Sequence, residues 1–172
     1  DPMNERVLKS AKNLKAISKY GAGLDNIDLD VAKELGIEVD RAVATNATSV
    51  AEVAIGLMFV AARSIAPAAH SVKTGGWDRG QNAGRELFGK AVGIVGLGAI
   101  GREVARMARG IGMDVIAYDP YFDDSDFADE YDISMVELDK LFKESDFITL
   151  HSPLTDETEH MINKETLSQM KP

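Results

Sequence analysis

The sequence predicts an α/β fold built on a doubly wound parallel sheet, and three observations carry that expectation. From residue 91 onward, short apolar runs alternate with amphipathic helical stretches. The first of these runs passes directly into Gly96-Leu97-Gly98-Ala99-Ile100-Gly101, which opens a helix. The next run ends in a carboxylate, Asp119.

Taken in order, residues 5 to 14 carry a helical pattern, and 14 to 20 form a short strand running into the turn Gly21-Ala22-Gly23. Asp28 is placed to cap a helix over 29–35, with Gly36 at its end and a strand over 37–39. This first region, to about residue 44, has too few strands to bury a sheet of its own. Ser49 and Glu52 have capping-box spacing, and a single long apolar helix is predicted from Val50 to Ala69, bent or ended by Pro67. Gly75 to Asp78 marks a loop, with Trp77 as its structural anchor. Strands are then predicted over 91–95, 114–118 and 147–150, and helices over 100–111, 135–142 and 165–170, the last capped by Asn163. The acidic run Asp123 to Asp132 reads as a solvated surface segment. Alternating strands and helices imply right-handed crossovers in a parallel sheet.

The glycine pattern carries the chemistry. In this context the first glycine permits a tight turn, the second lets the backbone approach a pyrophosphate, and the third brings the helix close to the strand. Amides at the start of the helix then face the phosphates. Asp119, about 20 residues on, stands where a carboxylate accepts hydrogen bonds from the adenosine ribose. With several carboxylates and no arginine nearby in the sequence, a 2′-phosphate would be repelled, so NAD is favoured over NADP. The bland alternative is a glycine-rich turn that packs and binds nothing. Strand, glycines, helix and acid together favour a Rossmann-type NAD site.

Composition limits the other possibilities. A net charge of −9 argues against a nucleic-acid partner or an anionic membrane surface. The absence of cysteine removes disulfides and thiol chemistry, and no two histidines have metal-ligand spacing. The longest apolar stretch, residues 53–62, is too short to cross a bilayer. A soluble cytoplasmic protein is expected. The chain opens on Asp1 rather than Met and stops directly after a helical pattern, so both ends read as cut.

Four stretches resemble the D-isomer-specific 2-hydroxyacid dehydrogenases, and within them the phosphoglycerate dehydrogenase-like branch. They are Tyr20-Gly21-Ala22-Gly23-Leu24-Asp25-Asn26-Ile27-Asp28, Ser49-Val50-Ala51-Glu52, Val95 to Arg102, and His151-Ser152-Pro153-Leu154-Thr155 with Thr158. The resemblance implies a partial, flavodoxin-like substrate-domain segment over 1–44 and a C-terminally incomplete NAD-binding domain over 45–172. It implies that Gly96, Gly98, Ala99, Ile100, Gly101 and Asp119 hold NAD, and that Ser152 and Pro153 line the cofactor cleft. Ala22 would touch both cofactor and substrate, and Ala22 and Gly23 would present amides to the substrate carboxylate. The helix starting near Val50 would contribute to a homodimer. The histidine at the place of His151 is not the family's proton-transferring one, and His70 and His160 read as surface or packing residues.

The same resemblance implies a small 2-hydroxy or 2-oxo acid as substrate. The arginine, glutamate and histidine that act on it in the family would all lie beyond Pro172. No catalytic residue is therefore assigned here. The chain is expected to bind NAD but to be inactive alone, with the activity in a longer parent. The alternative is a non-catalytic NAD-sensing module of the same fold. An adenosylhomocysteinase-like hydrolase is a third reading, and the stretch Tyr20 to Asp28 argues against it.

Overall fold

A computed structural model describes residues 2–21 and 23–172, so Ala22 lies outside the described residues. The chain forms two compact units that divide between Asn46 and Ala47. In the first, helix α1 (Glu5–Ser10) and strand β1 (Ala16–Lys19) are followed by α2 (Leu29–Glu34) and β2 (Glu38–Arg41). The two strands pair in parallel, from Ala16 against Glu38 to Lys19 against Arg41. Asp28 caps α2 by accepting from the Val31 amide, and Gly36 takes the left-handed conformation that ends it. Leu8, Ala32 and Ile37 close a small core.

The second unit opens with α3 (Ala47–Ala62) and α4 (Ile65–Lys73). The long helix expected from Val50 to Ala69 is thus two helices, bent by 68°. It begins three residues early, so Ser49 lies inside its first turn rather than at the cap. The break falls at Ser64, which adopts φ 51°, and not at Pro67. Pro67 sits in the first turn of α4, where its missing N–H would have had no partner. Among the described residues, no single helix is long and apolar enough to cross a membrane.

Strands β3 (Ala91–Val95), β4 (Asp114–Tyr118), β5 (Ile133–Met135) and β6 (Phe147–Leu150) form one parallel sheet in the order β5-β4-β3-β6. Helices α5 (Ala99–Ile111), α6 (Ser125–Glu130), α7 (Leu138–Glu144) and α8 (Lys164–Gln169) complete the unit. Alternation along the strands divides the core. Val92, Ile94, Val115 and Ala117 pack with α3 and α5 on one face, while Val95 and Ile116 meet Leu141 and Phe142 of α7 on the other. Gly93 permits the close seat of α7, since a Cβ there would come within 2.6 Å of the Leu141 side chain. Helices on both faces make the sheet doubly wound, as the sequence predicts.

Two segments differ from expectation. The acidic run is not a bare solvated segment: Asp124 caps α6 through the Phe127 amide, and Ala128 is buried. The stretch predicted as a helix over 135–142 splits instead, with its start in β5 and the helix moved to α7. Asn163 does cap α8, with a reciprocal Thr166 bond.

Candidate functional site

The strands stay parallel but the order in which the chain adds them reverses between β3 and β6, because β4 and β5 lie to one side of β3 and β6 to the other. A ligand crevice forms outside the carboxyl ends of strands at such a switch. Here that crevice is a cleft of 610 Å³. Its first wall is the glycine loop. Gly96 has φ +90°, and a Cβ on it would stand 2.8 Å from the backbone of His151 and Ser152. Conformation and close approach therefore both require glycine. At Gly101 a Cβ would land on the Gly96 carbonyl, so the third glycine seats α5 against the turn. Gly98 is different: nothing lies within 4 Å of its would-be Cβ, which leaves its backbone open to the cleft.

Gly98 is also the N-cap of α5, and no side chain caps that helix or places an acid in its first turn. The first amides of a 13-residue helix are thus left for another acceptor, at the positive end of its dipole. A pyrophosphate fits this arrangement on both charge and space.

Asp119 follows β4 and is held at both oxygens. Its Oδ2 accepts from the Leu97 amide at 2.8 Å and its Oδ1 from the Tyr121 amide at 2.9 Å. A carboxylate has about four acceptor sites, so the fixed group retains capacity for the hydroxyls of a ribose. An arginine does stand beside this loop, contrary to the sequence reading. The Arg102 Nε donates to the Leu97 carbonyl at 3.2 Å, and its guanidinium pairs with Asp124 between the rings of Phe122 and Phe127. The helical turn folds Arg102 back over the glycines, which linear spacing does not reveal. With that guanidinium engaged by Asp124, the preference against a 2′-phosphate rests on the Asp119 carboxylate itself.

The opposite wall follows β6. The His151 amide donates to the Val95 carbonyl at 2.7 Å, and its Nε2 lies 2.9 Å from Thr149 Oγ1. Burial holds the His151 pKa below the ordinary 6.5, so the ring is neutral at pH 7. Beyond it, Thr158 Oγ1 donates to the Pro153 carbonyl at 2.6 Å and accepts from the Thr155 amide at 2.8 Å, bracing the loop.

Of the residues singled out from sequence, Gly96, Gly98, Asp119, Ser152 and Pro153 line this cleft together. Ala99 is exposed at the uncapped start of α5, Ile100 packs its side chain partly into the core, and Gly101 is buried behind the turn, so Ala99 and Ile100 can meet a ligand through their backbone amides and Gly101 only shapes the turn. Tyr118, Tyr121, His151 and Thr155 also line it and were not singled out as cofactor residues. Their signal was adjacency to Asp119 and Ser152. Gly23 is exposed in the first unit, where a Cβ would come 2.9 Å from Asp25 Oδ2. Trp77 is 78% exposed and does not anchor its loop by burial. Among the described residues no three His, Asp or Glu side chains group as a metal site.

Residues 55–172 match the family model of the D-isomer specific 2-hydroxyacid dehydrogenase NAD binding domain. A hydroxypyruvate reductase of Thermotoga maritima is 50% identical over 96% of this chain, which covers 53% of that protein. A D-3-phosphoglycerate dehydrogenase of Methanocaldococcus jannaschii is 45% identical over 96% of the chain, which covers 32% of it. Among solved structures, D-lactate dehydrogenase from Aquifex aeolicus, complexed with NAD and lactic acid, superimposes with a TM-score of 0.88 and 36% identity. That match takes in 99% of this chain and 51% of the other. The chain therefore spans from about a third to just over half of the length of these relatives, and it belongs to the D-isomer specific 2-hydroxyacid dehydrogenase family, whose NAD-binding domain matches residues 55–172.

Proposed function

We propose that this chain is the cofactor-holding part of an oxidoreductase that interconverts a small 2-hydroxy acid and its 2-oxo acid. The observation that carries the reading is the open Gly98 at the uncapped start of α5, facing a cleft that also holds the doubly anchored Asp119. The amides of Gly98, Ala99 and Ile100 hold the pyrophosphate of NAD, and the Asp119 carboxylate accepts from the adenosine ribose. Gly96 and Gly101 shape the turn. Ser152 and Pro153 form the far wall of the cleft. NAD, when bound, supplies the hydride acceptor and donor, while the protein's part is to bind and orient it and keep water out.

The first unit, with Ala22 and Gly23, is assigned to the substrate domain, where backbone amides of the glycine turn take the substrate carboxylate. Val53 and Leu57 are each 61% exposed on α3, an apolar face that supports assembly into a homodimer. A cysteine-free acidic chain suits a reducing cytoplasm.

The test is calorimetric titration of NAD into the wild-type chain and into D119A. Loss of the carboxylate removes charged hydrogen bonds to the ribose, so NAD should bind about tenfold more weakly or worse. Equal affinity in the two proteins would show that the cofactor does not lie against Asp119.

A further inference from the structure

Two peptide groups meet at Leu97, and side chains from different elements hold both. The amide before it donates to Asp119, and the carbonyl after it accepts from Arg102 Nε. The Leu97 side chain is itself buried, 1% exposed. Arg102 is in turn fixed from three sides, by the Asp124 carboxylate and by the Phe122 and Phe127 rings, with ring centroids 5.1 and 4.7 Å away. Asp124 is the N-cap of α6 and accepts from the Phe127 amide at 3.1 Å. The guanidinium thus joins the glycine loop to the segment after β4.

The bond to the Leu97 carbonyl has a geometric consequence. No peptide in the described chain is cis, so in the Leu97–Gly98 unit the N–H points opposite to the C=O. Holding that carbonyl against Arg102 fixes the direction of the Gly98 N–H. Gly98 is the open member of the loop and lines the cleft. Glycine has the widest choice of backbone conformation, so this amide would otherwise be the least fixed of the set.

The geometry points to Arg102 as a positioning residue for the phosphate-binding amides, which aims the Gly98 N–H into the cleft without touching the ligand itself. The inference rests on the dinucleotide reading above and adds to it a residue, and a mechanical link from α6 to the glycine loop. Arg102 then serves recognition of the diphosphate and not of the nucleoside. Its charge is matched by Asp124, so it works by hydrogen-bond direction and not by attraction at a distance.

The test uses two ligands, ADP and adenosine, titrated by NMR into the wild-type chain, R102M and R102K. Methionine keeps a long apolar stem between the two rings, and lysine keeps the charge near Asp124, but neither supplies the Nε donor in a planar fork. Both variants should bind ADP about tenfold more weakly, hold adenosine within about twofold, and shift the Gly98 amide resonance in the free protein. Unchanged ADP affinity in both variants would overturn the inference while leaving the cofactor site in place. Equal losses for ADP and adenosine would also overturn it, showing a general role in loop stability. A wild-type chain that binds neither ligand would overturn the dinucleotide reading, and this inference with it. R102K keeps the test decisive if R102M fails to fold.

Discussion

Gly96 is the residue on which the cleft depends most sharply, because two separate demands exclude any side chain there. Its φ of +90° is unfavourable for an L-residue, and the chain at His151–Ser152 passes 2.8 Å from the Cβ position. Gly96→Ala should therefore cost on the order of 2–4 kcal/mol, read as a lowered denaturation midpoint. His151 gives a pH signature on the opposite wall. Burial lowers its folded pKa below 6.5, so the folded chain favours the neutral ring. The stability linked to this is full above pH 6.5 and is lost as pH falls through the folded value. His151→Gln should flatten the fall in unfolding free energy measured from pH 7.5 down to pH 5, and an unchanged profile would assign the pH dependence elsewhere. At this scale the positions of Gly96, Gly98 and Asp119 at the cleft were legible in sequence, because they follow from conformation and spacing along the chain. Arg102 was not legible, since its contacts with Leu97, Asp124 and two rings exist only once the turn has folded. The exposure of Trp77 was equally hidden, because residue type suggested burial and nothing in the local sequence opposed it.

At the level of elements, β3, β4 and β6 lie where their apolar runs predict, and α5 begins one residue before its predicted start. These segments bury residues at a clear period, so pattern and structure coincide. The break between α3 and α4 was missed because the apolar residues 53–62 are followed, after only Arg63 and Ser64, by Ile65, with no glycine at the corner. Ser64 turns the chain in the left-handed region instead, at φ 51°. Ser64→Gly should relieve that cost and raise stability by about 0.5–1 kcal/mol, measured by denaturant unfolding. A loss of stability would mean that the serine side chain contributes more than its conformation costs. Helix α6 was hidden for a different reason. It is six residues long, buries only Ala128, and is held by its Asp124 cap and the pairing with Arg102, so its composition resembled a surface loop.

For the molecule as a whole, the alternation of strands and helices foretold parallel strands, but the order β5-β4-β3-β6 depends on which edge each crossover chooses. That order decides where the cleft lies, since it puts the reversal between β3 and β6 and brings Gly96 beside His151. The pairing of Asp119 with the glycine loop likewise required β4 to lie next to β3. In the proposed site a chain of net charge −9 would hold an anionic dinucleotide through amides at one helix end and not through the field of the whole protein. A crystal structure of the chain grown with NAD would show whether the dinucleotide lies across this reversal. The expected result has pyrophosphate oxygens within hydrogen-bond distance of the Gly98 and Ala99 amides and a ribose hydroxyl on the Asp119 carboxylate. NAD found in any other place, with the cleft between β3 and β6 filled only by solvent, would rule out cofactor binding at the glycine loop.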